Sequence, residues 1–151
     1  MNVNQRLIDL EIEIPEMSKP LADYVPAVKT GEYIFISGQL PIVDGDLIYS
    51  GKIGKNLSLG EGKDAARIAC INCLAALKSK VSLEDVEQIV KVTGYVQCGE
   101  DFIEHPQVIN GASELLGQIF GDKGTHSRAA VGVNSLPLNA PCEVEMIVKI
   151  K

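Results

Sequence analysis

From Tyr24 onward the apolar positions follow two rhythms, and the switch between them marks the elements. Residues 25–29 and 32–37 are rich in β-branched and aromatic side chains on either side of Thr30-Gly31, the composition of two strands joined by a turn. Asp44-Gly45, between Pro41-Ile42-Val43 and Asp46-Leu47-Ile48-Tyr49, predicts a second connection of the same kind. The period then lengthens. Ser58-Leu59-Gly60-Glu61 has capping-box spacing, and Ala66, Ala69, Cys70, Cys73 and Leu77 form one stripe behind it, so a helix is expected over residues 60–79. Because that stripe is mostly small, the helix can lie close against a sheet. A strand is expected over residues 87–97. A second helix should open at Pro106, carry Ile109, Ala112, Leu116 and Ile119 on one face, and stop at Gly121. Arg128 to Val133 and Glu143 to Lys149 read as a closing hairpin, with Val144, Met146, Val148 and Ile150 alternating with charged or polar neighbours.

The order ββ(β)αβαββ defines an α+β class, a mixed sheet with two helices on one face. Residues 1–20, with acids among the apolar residues and prolines at 15 and 20, are expected to form an N-terminal arm ahead of one domain over 21–151. Ile34, Ile36, Val90, Val92 and Val131 suggest that the sheet face away from the helices is apolar too, and a second subunit is the simplest cover for it. Gly111 and Gly117 within the second helix each cost about 1 kcal/mol against alanine, which predicts close contact with a neighbouring backbone or ligand.

Composition narrows the chemistry. With 151 residues, 46% hydrophobic and 23% charged, the chain has the make-up of one folded globular domain. Its net charge of −6, with the basic residues scattered singly, disfavours a nucleic-acid partner. No apolar leader opens the sequence and no membrane-length apolar run follows, so a soluble, cytoplasmic protein without a membrane partner is expected. Four cysteines in a chain with an ample core fit free thiols in a reducing compartment. Cys70-Ile71-Asn72-Cys73 falls in the middle of a helix, not at the N-terminus a redox motif requires, and reads as core packing. His105 and His126 are not spaced as a metal-binding pair, and Gly121-Asp122-Lys123-Gly124-Thr125 lacks phosphate-loop spacing.

Arg128 is distinctive, opening a strand otherwise built of Ala129, Ala130, Val131, Gly132 and Val133, while Glu143 opens the next strand. A guanidinium among small side chains leaves room for a planar carboxylate held by two N–H groups. A surface arginine paired with Glu143 or Glu145 is the alternative.

Three segments resemble the YjgF/RidA family: Tyr24 followed by Tyr33-Ile34-Phe35-Ile36-Ser37-Gly38-Gln39-Leu40-Pro41, then Arg128-Ala129-Ala130-Val131, then Leu136-Pro137 with Glu143-Val144-Glu145. The resemblance runs from Leu21 to Ile150. It implies a chorismate-mutase-like fold, a homotrimer with a central barrel, and clefts between subunits. It also implies hydrolysis of small carboxylated enamines and imines, of the 2-aminoacrylate type, to a 2-keto acid and ammonia, with no metal or cofactor. By position, Arg128 matches the arginine that clamps the substrate carboxylate and Glu143 the glutamate that directs water. Tyr24, Ser37, Gly38 and Asn110 match the lining of the cleft. Each of these four also has a structural reading, as a strand anchor, a turn or a helix surface residue. Two departures stand out: the family's cysteine two residues after the arginine is Ala130, and the small or proline residues before it are Thr125, His126 and Ser127. A non-catalytic protein that binds keto acids and regulates a partner is the alternative function. Endoribonuclease activity, an L-PSP-type function attached to parts of the family, is a third.

Overall fold

The computed structural model describes residues 2–17 and 23–151. Strands β1 (Ala27–Thr30) and β2 (Tyr33–Gln39) form the expected hairpin, and β3 (Ile42–Val43) and β4 (Asp46–Leu47) the small second one. Asp44 and Gly45 both take positive φ, 51° and 84°, the turn whose twist matches antiparallel strands. Helix α2 (Leu59–Lys78) starts with the predicted capping box: Ser58 Oγ accepts from the Glu61 N–H, and Glu61 Oε1 accepts from the Ser58 N–H. Strand β5 (Val86–Gln97), helix α3 (His105–Phe120), strand β6 (Ser127–Val133) and strand β7 (Cys142–Ile150) complete the domain.

The five-stranded sheet runs β1-β2-β7-β5-β6, with α2 and α3 on one face. Two expectations are corrected here. Strands β6 and β7 are not a hairpin: β5 lies between them, pairing parallel with β6 and antiparallel with β7. Helix α3 supplies the crossover that a parallel pair requires. The segment returning to β7 is clamped by buried Gln97, whose Nε2 donates to Gly51 O and Asn139 Oδ1 while its Oε1 accepts from the Leu136 N–H. The second correction concerns the sheet faces. Ile34, Ile36 and Val92 point at the helices and are buried, and Val90 is half-buried at a bulge. The open face carries Val28, Tyr33, Phe35 and Val131, each 40–52% exposed. Which parity of a strand faces the helices depends on register, which the alternation alone does not specify.

Small residues do seat α2 tightly. Ala65, Ala66, Ala69 and Cys73 are fully buried, and Cys73 Sγ donates to Val144 O on β7 at 3.1 Å. Burial pushes the Cys70 thiol up to about 12 and raises Cys73 as well, in keeping with a packing role for the pair. Gly111 of α3 lies directly against the Lys63 carbonyl of α2, the close approach its cost predicted, whereas no neighbour among the described residues lies within 4 Å of a Cβ placed on Gly117.

A third helix, α1 (Val3–Asp9), precedes the sheet. The described part of the expected arm folds onto its own chain. Leu7 and Ile14 join the common core, Arg6 Nη1 donates to Ile119 O at 3.2 Å, and the Asn4 N–H donates to Glu84 Oε1 at 2.9 Å. The expected boundary between residues 20 and 21 lies outside the described residues. Among those described, no helix is long and apolar enough to cross a membrane.

Candidate functional site

Residue parity divides the candidate side chains into two groups. Arg128 on β6 is in register with fully buried Val92 on β5, itself in register with Met146 on β7, so the arginine lies on the helix face of the sheet. There α3 receives it. Arg128 Nη1 donates to Asn110 Oδ1 at 2.7 Å and to Ser113 Oγ at 3.2 Å, and Nη2 lies 3.4 Å from Pro106 O. Asn110 and Ser113 are three residues apart and therefore share a helix face. Behind them, Ser113 Oγ is 2.8 Å from His126 Nε2, and His126 Nδ1 is 2.6 Å from Gly124 O. Arg128 pairs with neither Glu143 nor Glu145. Both hydrogens of Nη1 are spent, while among the described residues Nε and one hydrogen of Nη2 have no acceptor. Those two N–H groups form the edge that meets a carboxylate in a two-pronged contact.

Glu143 belongs to the other group. It alternates with buried Val144 and stands opposite Tyr95, on the open face. Its neighbour there is Gly38, where a Cβ would collide with the carboxylate. Gly38 and Ser37 form a bulge, because β2 pairs Ile36 with Met146 and next pairs Gln39 with Val144. Ser37 is occupied structurally: its hydroxyl donates to Val25 O at 2.6 Å and its N–H to Pro26 O at 2.9 Å, pinning the segment that follows Tyr24. Tyr24 itself is 48% exposed. Burial, and next the charge of Glu145, raise the Glu143 carboxyl above the ordinary glutamate range. Glu145 accepts from Tyr95 Oη at 2.8 Å.

Within one chain, then, Asn110 meets Arg128 and Gly38 meets Glu143, but the sheet separates the two groups. Sequence reading did not identify Ser113 or single out His126 as a partner. The i, i+3 spacing of Asn110 and Ser113 was the available signal for the first, and an unusual histidine two residues before Arg128 for the second. Beyond Gly132 on β6 an open cavity of about 1320 Å³ is bordered by Lys52, Phe102, His105 and Cys98, with Cys98 Sγ 3.4 Å from His105 Nε2. Burial raises the Cys98 thiol, and Lys52 partly offsets that shift. Among the described residues no group of three or more His, Cys, Asp or Glu side chains is arranged to hold a metal ion.

Residues 4–150 match the family described as "YjgF/chorismate mutase-like, putative endoribonuclease", beginning inside the segment expected as an arm, and the chain belongs to it. It is 35% identical over 143 residues to Protein TCP17 of Trypanosoma cruzi, covering 93% of this chain and 89% of that one. It is 28% identical over 141 residues to a 2-iminobutanoate/2-iminopropanoate deaminase of Dermatophagoides farinae, covering 93% of this chain and 95% of that one. Among solved structures, a "putative endoribonuclease" of Shewanella oneidensis MR-1 superposes with a TM-score of 0.96 at 34% identity, covering 99% of this chain and 100% of that one.

Proposed function

We propose that this protein hydrolyses small carboxylated imines, the tautomers of 2-aminoacrylate-type enamines, to a 2-keto acid and ammonia. The observation that carries the reading is the guanidinium of Arg128, tied down at Nη1 by Asn110 and Ser113 with its Nε/Nη2 edge left for a carboxylate. A small acid held there lies out of reach of the same chain's Glu143, on the opposite sheet face and two strands away, about 10 Å across the sheet. The site is therefore shared. Arg128 and Asn110 of one copy meet Glu143, Gly38 and Tyr24 of the next. Such a contact joins two different surfaces, the kind that closes a ring, and a homotrimer is the assembly we assign to it. The exposed apolar residues of the open sheet face supply a surface to bury in that ring.

In the shared cleft Arg128 orients the imine carbon. Glu143 takes a proton from water as the oxygen–carbon bond forms and passes it to the imine nitrogen, giving a carbinolamine; it then takes the hydroxyl proton as the carbonyl forms and delivers it to the nitrogen as the carbon–nitrogen bond breaks and ammonia leaves. The raised Glu143 carboxyl suits this exchange, because a base with a pKa nearer neutrality takes and returns a proton readily. No metal or cofactor enters the scheme. Net charge of −6 weighs against an RNA substrate.

Subunit mixing tests the shared site. Arg128→Ala and Glu143→Gln are each expected to lose activity toward 2-aminoacrylate generated by a pyridoxal-phosphate lyase. Reassembled together at equal amounts, they should regain about a quarter of the wild-type rate, the fraction of clefts that receive both intact side chains. No recovery in verified mixed assemblies counts against a shared site. Wild-type protein that binds 2-oxobutanoate without accelerating pyruvate formation would favour the regulatory alternative, and cleavage of single-stranded RNA lost with Arg128→Ala would favour the ribonuclease.

A further inference from the structure

With a neutral imidazole at His126, the hydrogen bonds behind Arg128 have one self-consistent arrangement of protons. Arg128 Nη1 is a donor and nothing else, so Ser113 Oγ must accept from it. The hydroxyl hydrogen of Ser113 is then free to donate, and the group in front of it is His126 Nε2 at 2.8 Å. For that nitrogen to accept, the imidazole must carry its proton on Nδ1, and Nδ1 faces Gly124 O, which can only accept. The relay runs in one direction: guanidinium to serine, serine to imidazole, imidazole to the backbone carbonyl. Its far end is rigid, because Gly124 ends the tight turn Gly121–Gly124 and packs directly against the Leu116 carbonyl of α3.

We propose that His126 is a positioning residue for the carboxylate anchor, holding Arg128 in its binding pose through Ser113. The inference rests on the reading of Arg128 as that anchor. The contact to Asn110 Oδ1 alone leaves the guanidinium plane free to swing about it; the contact to Ser113 Oγ at 3.2 Å restrains the plane, with the longer one from Nη2 to Pro106 O at 3.4 Å beside it. A serine hydroxyl within a helix has a competing option, since it can turn back to a carbonyl of the preceding turn. An acceptor at His126 Nε2 holds the hydroxyl outward, with its lone pair toward Arg128. His126 stands at one of the positions where this chain departs from the small or proline residues of the family pattern, so the device belongs to this variant of the site.

The experiment uses the full assembled chain and 2-oxobutanoate as the probe, with direct binding measured beside turnover. His126→Phe, which removes the acceptor, is expected to raise both Kd and KM about tenfold, the scale of one hydrogen bond to a charged group, with kcat held within about twofold. His126→Gln offers an amide oxygen in place of Nε2 and should recover most of the affinity. Ser113→Ala should cost about as much as His126→Phe, and the double variant little more, since both break one relay. In wild type, nitrogen-15 NMR should find His126 protonated on Nδ1 alone, with its signals moving when the keto acid binds. That readout decides the matter even if a variant fails to fold. A proton on Nε2, an unchanged Kd in folded His126→Phe, or a His126→Gln as weak as His126→Phe would overturn the proposal. Arg128→Ala separates the two levels: if it leaves Kd unchanged, the anchor itself is misassigned and the relay falls with it. If Arg128→Ala abolishes binding while His126→Phe does not alter it, only the relay fails.

Discussion

The two halves of the candidate site are built in opposite ways. Around Arg128 the chain supplies its own scaffold: the charge is held by Asn110 and Ser113, and Ser113 by a histidine fastened to the backbone. Around Glu143 there is pressure instead of support. The carboxylate is wedged beside Gly38, partly desolvated, and close enough to Glu145 for its proton affinity to rise. A binding group profits from being held still before its ligand arrives. A proton-transfer group profits from an environment that disfavours its charge. Electrostatically strained groups and rigid anchors are both familiar; here the sheet keeps them on separate faces, and the proposed trimer would bring each to the other.

Substitutions at the glycines press on each half separately. The largest effect is expected from Gly38→Ala, whose methyl group displaces the Glu143 carboxylate. The rate constant kcat should fall about 100-fold, as misplacement by about 1 Å commonly does, while the nitrogen-15 signals of His126 stay as in wild type. Movement of those signals would show that the halves are not independent. On the other side, Gly111→Ala drives a methyl group into the Lys63 carbonyl and shifts the helix that carries Asn110 and Ser113. A loss of about 2 kcal/mol in urea unfolding is expected, with a weaker keto-acid Kd. Gly117→Ala, on the same helix but in open space, should instead stabilise by about 0.5–1 kcal/mol. Equal effects at the two glycines would refute the assigned helix contact.

The smallest effect concerns Glu143. Its folded-state pKa lies above the unfolded one, so the stability it contributes is full below the unfolded pKa and declines as pH rises through the folded value. At neutral pH the ionised side chain therefore costs stability. Glu143→Gln should raise Tm slightly, by an amount worth less than about 1 kcal/mol after solvent screening, while activity is lost. A thermal melt at pH 7 compared with one at pH 4 checks the sign: the advantage of the variant should shrink at the lower pH. For the wild-type protein, the proposed activity should show a kcat that falls on acidification at a pH above the ordinary glutamate range.

Both main helices, the Asp44-Gly45 turn and the first hairpin were legible because their signals are local. A capping box needs four consecutive residues, a helical stripe a few turns, and a primed turn two residues with positive φ. Arg128, Asn110, Gly38 and Glu143 could be nominated from their place in a family pattern. Their grouping could not. Strands β6 and β7 are separated in the sequence by one short connection, yet β5 divides them in the sheet, and no local preference in either strand encodes that insertion. Beyond its i, i+3 spacing from Asn110, Ser113 gave no sign of its role, because its partners, Arg128 and His126, come together with it only once α3 lies along β6.

Periodicity, caps and turn residues, all interactions between near neighbours in the chain, determined by themselves the two main helices with their apolar stripes and the strands of the sheet, though not helix α1 or the side on which the sheet meets the helices. Strand order, the side of the sheet on which each charge emerges, and the grouping of Asn110, Ser113 and His126 behind Arg128 were decided by tertiary structure. Those depend on register and on contacts between distant residues, and a shift of one residue in any ladder would have turned Arg128 or Glu143 to the opposite face.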